Sequence, residues 1–205
     1  MRDATFLAAV LPYALAQAKR HREPLTVMCV EIDGVAALTR SHGPSAVADA
    51  SRRLAESVAK ALRGSDVVTR LDDDRLVVML PNTGAENALI VAEVVRGAVA
   101  ETAAPPPVTG PLTASIGTAS YPHDGEDMLA LLHAADEAMN AGRETGPNGV
   151  ARFEDLPGAD RPPLSVLTPP PPVAEAEAVV DADSGVIPLT PARRDPQPRR
   201  QPAAR

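Results

Sequence analysis

Near the middle of the chain two β-branched runs, residues 66–71 and 75–80, flank the triplet Asp72-Asp73-Asp74, a pattern that predicts a β-hairpin with a short acidic turn. This feature constrains the fold more than any other. Strands joined by a tight turn run antiparallel, so an all-parallel, doubly wound sheet is excluded. Around the hairpin the periodicity alternates. Residues 5–22 place Phe6, Val10, Tyr13, Ala14, Gln17 and Ala18 at spacings of three and four, which predicts an amphipathic helix kinked near Pro12. Residues 25–32 (LTVMCVEI) predict a central strand closed by Asp33-Gly34, and residues 45–62 predict a second helix stopped by Arg63-Gly64. A third helix is expected over 85–103, a strand over 112–120, a fourth helix over 127–141 and a last short strand over 149–153. The expected class is α/β of the α+β kind: a mixed, mainly antiparallel five-stranded sheet flanked by helices.

Proline divides the chain. Of 22 prolines, 12 lie between Pro157 and Pro202, too many for regular helix or sheet. The expected organisation is a folded domain over 1–156 and a Pro/Arg-rich disordered tail over 157–205. Pro169 to Pro172 favours polyproline II, and the tail's arginines (Arg193, Arg194, Arg199, Arg200, Arg205) could engage an acidic protein partner. Residues 1–156 carry 14 basic and 21 acidic side chains and the tail 6 of each, so the net charge of −7 sits on the body. Such a body is not expected to bind nucleic acid, which needs a concentrated basic surface. The chain has one cysteine, Cys29, and hence no internal disulfide. No apolar run reaches the roughly 18 residues of a membrane helix, and no basic region precedes the apolar N-terminal stretch, so a cytoplasmic chain without membrane insertion is expected.

Two groups of residues carry chemistry. Glu31, Asp33, Asp72, Asp73 and Asp74 gather carboxylates at a strand end and a hairpin turn, either as a cation-binding cluster or as a solvated turn in which Asp serves local hydrogen bonds. Arg63 and Asp66 join a forked donor to a carboxylate acceptor three residues apart, either as the start of a ligand site or as a helix-end turn. His21, His42, His123 and His133 show no ligand spacing.

Taken in order, these segments resemble the GGDEF domain, the diguanylate cyclase module of bacterial cyclic-di-GMP signalling. Residues 27–33 (VMCVEID) are similar to its apolar strand ending in Asp-x-Asp, Arg63-Gly-Ser-Asp66 to its Arg-x-x-Asp, and residues 69–76 (TRLDDDRL) stand in its signature hairpin. Thr113-Ala-Ser-Ile-Gly117, Ala135-Asp136-Glu137-Ala138-Met139 and Gly146-Pro147-Asn148 continue the register, and the likeness spans about residues 4–154. The resemblance implies GTP bound between the first strand and the hairpin, with acidic residues holding divalent metals. Here the signature is degenerate: Asp72 and Asp73 replace its two glycines, Asp74 keeps an acid, Arg75 replaces the glutamate, and Leu76 follows. Thr39 and Ala48 fall where the family reads guanine, Arg143 replaces a Lys and Pro147 an Arg. The third-helix Arg that often supports the Arg-x-x-Asp site is replaced on a face showing Ile90 and Val94. The resemblance therefore implies a non-catalytic signalling domain without a cofactor. It would bind a partner protein, through the body or the tail, or cyclic-di-GMP at Arg63 and Asp66. The alternative is a divergent cyclase acting on GTP with magnesium held by Glu31 and Asp74.

Overall fold

The computed structural model describes residues 3–106, 108 and 110–157, and the proposed disordered tail, apart from its first residue Pro157, lies outside the described residues. The order of elements is α1 (Ala4–His21), β1 (Leu25–Ile32), α2 (Val35–Ala61), β2 (Val67–Arg70), β3 (Arg75–Pro81), α3 (Ala85–Ala100), β4 (Ala114–Tyr121), α4 (Met128–Thr145) and β5 (Val150–Arg152). The five strands form one sheet in the order β2-β3-β1-β4-β5. β1 runs antiparallel to both neighbours, β2 antiparallel to β3, and β5 parallel to β4. The sheet is thus mixed and mainly antiparallel, with the hairpin where the sequence put it.

Alternation along the strands divides the core in two. Met28, Val30 and Ile32 of β1 and Leu76, Val78 and Leu80 of β3 face α2 and α3, where Leu54, Val58, Ala92 and Val95 meet them. Leu25, Val27 and Cys29, with Val77 and Met79, face α1 and α4, where Leu7, Leu11, Leu131 and Met139 meet them. Both faces are covered, which explains why β1 reads as a continuous apolar run. Each fully buried Leu or Val contributes about 1.5–3 kcal/mol. No helix among the described residues is long and apolar enough to cross a membrane.

Three sequence readings change. In α1 the buried stripe is Leu7, Leu11, Leu15 and Ala18, while Tyr13 is exposed. The leucine row at i, i+4 and i+8 removes more apolar area from water than the expected row through Tyr13, and so it sets the helix rotation. The helix runs on through Pro12 as one element. Helical structure also begins at Val35, ten residues before the expected start. It is interrupted at Gly43 (φ 80°), whose left-handed backbone suits glycine, and it resumes at Pro44, a residue suited to a first helical turn. Finally, α4 extends to Thr145, which adds the turn carrying Arg143.

Burial raises the Cys29 thiol to about 12, with the nearby Asp136 charge adding to the effect. At pH 8 only about one molecule in ten thousand would carry the thiolate. Native protein is therefore expected to be inert to an aromatic disulfide reagent at pH 8, and to release one equivalent of thiol in denaturant. Rapid labelling of the native chain would contradict the packing of β1 against α4.

Candidate functional site

The apolar face shared by β1, β3 and α4 ends in charge. Following Cys29 and Val77 on that face, the next inward positions are Glu31 of β1 and Arg75 of β3, and the antiparallel register sets these two directly opposite. From α4, Asp136, Asn140 and Arg143 stand at i, i+4 and i+7, one face of a helix. α4 reaches this depth because β4 carries Gly117 beneath it. A Cβ there would lie 2.1 Å from the Ala135 carbonyl oxygen and 2.2 Å from the Met139 nitrogen, so only glycine permits this approach.

The five side chains close a ring. Arg75 donates to Glu31 Oε2 through Nη2 at 2.6 Å and Nε at 3.0 Å, and its Nη1 donates to Asp136 Oδ1 at 2.6 Å. Asn140 donates to Asp136 Oδ2 at 3.1 Å, and Asn140 Oδ1 accepts from Arg143 Nη2 at 2.6 Å. Arg143 Nη1 completes the ring on Glu31 Oε1. Two carboxylates and two guanidiniums balance, and the Glu31 side chain is only 10% exposed. Burial alone would raise the Glu31 pKa, but the hydrogen bonds and charges of Arg143 and Arg75 outweigh it and hold the carboxyl below its usual range. Arg75 is shifted up: burial opposes its charge, and the bond to Glu31 together with the charges of Asp136 and Glu31 more than restores it.

The hairpin turn is pinned as well. Ser51 of α2 donates its hydroxyl to the Asp73 carbonyl, and Ile32 N–H donates to the Asp74 carbonyl at 3.2 Å. Asp74 thus meets β1 through its backbone, while Asp72 and Asp73 are exposed. The open cleft between this turn and the start of α1 is lined by Asp3, Arg70 and the three turn aspartates, four carboxylates against one cation. Asp33 is not part of the ring. Its carboxylate accepts from Ser115 Oγ at 2.6 Å and from Asn148 N–H at 2.8 Å, which ties β1 to β4 and to the loop after α4. Thr39 spends its hydroxyl on the Val35 carbonyl at 2.8 Å, and Ala48 faces solvent.

Arg63 and Asp66 form a local turn. Asp66 Oδ2 accepts Arg63 N–H at 2.9 Å and Oδ1 accepts from Ser65 at 3.2 Å, while Arg63 itself is exposed. Sequence reasoning named Glu31 and Arg75 separately and missed the ring, although the spacing of Asp136, Asn140 and Arg143 on one helix face was a visible signal.

The diguanylate cyclase GGDEF-domain family model matches residues 4–149, most of the described residues. The chain belongs to the GGDEF family. Diguanylate cyclase A of Treponema denticola is 28% identical over 141 residues, covering 67% of this chain and 38% of that protein. Diguanylate cyclase TpbB of Pseudomonas aeruginosa is 33% identical over 139 residues, covering 65% of this chain and 31% of that protein. This chain therefore spans well under half the length of these relatives. The solved GGDEF domain of TpbB superposes with a TM-score of 0.70 at 27% identity, covering 74% of this chain and 96% of that domain. The GGDEF domain of DgcB from Caulobacter crescentus, solved in complex with c-di-GMP, shares the fold with a TM-score of 0.68 at 18% identity, covering 75% of this chain and 89% of that one. The module is a GGDEF domain of the kind found in cyclic-di-GMP signalling proteins.

Proposed function

We propose that this GGDEF domain acts by binding and does not make cyclic-di-GMP. The observation that carries this reading is the guanidinium of Arg75, held 2.6 Å from both Glu31 and Asp136. A magnesium ion needs free oxygen donors. Here both Glu31 oxygens are bonded to guanidiniums, and a further positive charge ~4 Å from one of them is opposed by roughly 4 kcal/mol per unit charge at an effective dielectric near 20. The donor set does not fit a divalent cation; in effect the chain carries its own tethered cation. The exposed Asp72 and Asp73 oppose a triphosphate in the same way, and Thr39 and Ala48 offer guanine little.

The Arg63 turn supports cyclic-di-GMP as a ligand. The guanidinium is exposed, makes no ion pair among the described residues, and can present its fork to phosphate or guanine beside the Asp66 carboxylate. Incubation of the full chain with GTP and magnesium is expected to yield no cyclic-di-GMP above a protein-free control. Turnover would overturn the proposal in favour of a divergent cyclase using Glu31 and Asp74. In calorimetry, GTP should bind no tighter than about millimolar. Cyclic-di-GMP should bind and lose at least about tenfold in affinity on Arg63→Ala, the size of one charge-assisted contact. Equal binding by both would assign Arg63 to the helix end alone and leave a partner protein as the ligand.

A further inference from the structure

α3 buries Ala88, Ala92, Val95 and Val99 against the sheet, yet its opposite face carries Ile90 and Val94, which are 63% and 53% exposed. They lie four residues apart and so stack on one side of the helix. A solvent-facing helix position favours Ala, Glu or Lys, and β-branched residues there lose rotamer freedom with no burial to offset it. Gly97 lies farther along the same helix. A Cβ at that position would meet nothing within 4 Å, so packing within the chain does not require glycine, although glycine weakens a helix interior. Isoleucine, valine and glycine are all poor choices for a lone surface helix and good ones for a helix that another surface approaches closely.

Beside this stripe, α2 and α3 enclose an open groove of about 720 Å³ whose apolar wall includes Ala61, Val94 and Ala98. Its rim carries the cations Arg52, Arg53 and Lys60 and the acids Glu56 and Glu101; Arg52 pairs with Asp49 at 2.9 Å, and the other four, two of each sign, are not ion-paired among the described residues. An acidic partner would meet the two glutamates and a basic partner the two cations. A surface with the same two signs, turned through a half rotation, satisfies both.

We propose that this face pairs two copies of the chain about a two-fold axis, the Ile90–Val94 ridge of each copy seated in the α2/α3 groove of the other, without any nucleotide. The proposal does not depend on whether the chain turns over GTP. It places the association surface on the side of the sheet away from the Glu31–Arg75 ring.

The test is sedimentation of the full, nucleotide-free chain from about 1 to 200 µM, a range in which a standard-size interface reveals itself. A reversible monomer–dimer equilibrium is expected, weakened at least about 100-fold by the double substitution Ile90→Asp, Val94→Asp, because burying two carboxylates in that interface is unfavourable. Gly97→Gln separates association from folding. It strengthens the helix, so the melting temperature measured at low concentration should rise or hold, while dimerisation weakens at least about tenfold. A chain that stays monomeric throughout, that dimerises only when cyclic-di-GMP is added, or whose dimer is indifferent to these variants would overturn the proposal.

Discussion

Gly117→Val is expected to leave no cooperative thermal transition, and Gly117→Ala to melt far below the wild type. Even the single methyl of alanine would stand 2.1 Å from the Ala135 carbonyl oxygen and 2.7 Å from Met139 Cα. These are backbone atoms, with no rotamer to retreat into, so α4 must move off the sheet. That withdraws Leu131, Ala135 and Met139 from the core face they share with β1 and pulls Asp136 and Arg143 away from the ring. Overpacking that flexible side chains can absorb costs 1–3 kcal/mol; against backbone the cost should reach or exceed about 3 kcal/mol, a large part of the 5–15 kcal/mol that holds an ordinary domain together. For a domain of this size that corresponds to a fall of roughly 6–12 °C for the alanine variant, read by circular dichroism. A melt within about 2 °C of wild type would show that α4 does not lie this close to β4.

Gly117 also shows what the sequence made legible. It fell inside the Thr113–Gly117 segment of the family likeness, and the strand itself was plain from its composition, but a glycine's role as the seat of a helix depends on which element crosses it. The long-range register is the common cause of what was missed. β1 and the hairpin were each clear from apolar runs and turn residues, because those signals are local. That Glu31 faces Arg75 follows only from pairing strands 44 residues apart. With each residue considered alone, Arg75 registered as the loss of an acid rather than as a cation with a place to go. α1 shows the same limit: its period was visible, while its rotation depended on the surface it met, and the leucine row won. Residues 35–42 offer one short apolar run, Val35-Ala-Ala-Leu38, of which Val35 and Leu38 pack against the core, and a run of a single turn in a segment cut off by Gly43-Pro44 is too short for its period to mark a helix.

Arg75→Met should cost about 2 kcal/mol at pH 7, more than a surface ion pair because Glu31 is nearly buried, and less than the 3–5 kcal/mol of a dry pair because Arg75 keeps 27% of its side chain in water. The pH dependence is the sharper readout. In the wild type the Glu31 carboxyl lies below its unfolded value, so the folded state binds fewer protons there than the unfolded state does. The stabilisation is therefore present above the unfolded pKa near 4.3 and is lost as pH falls through the lower folded value. Without Arg75 two hydrogen bonds to Glu31 and one charge are gone, burial weighs more heavily, and the Glu31 pKa moves up. The acid limb of the stability curve should accordingly shift to higher pH, with the difference between the two proteins greatest near neutrality and shrinking as both carboxyls are protonated. Glu31→Gln in the Arg75→Met background should cost less than Glu31→Gln alone, since the amide no longer leaves a guanidinium short of its counter-charge; a coupling of at least about 1 kcal/mol is expected for groups in direct contact. Additive losses and an unchanged acid limb would mean that Arg75 rests beside Glu31 without holding it, and the case for a tethered cation in the place of a metal would fall with them.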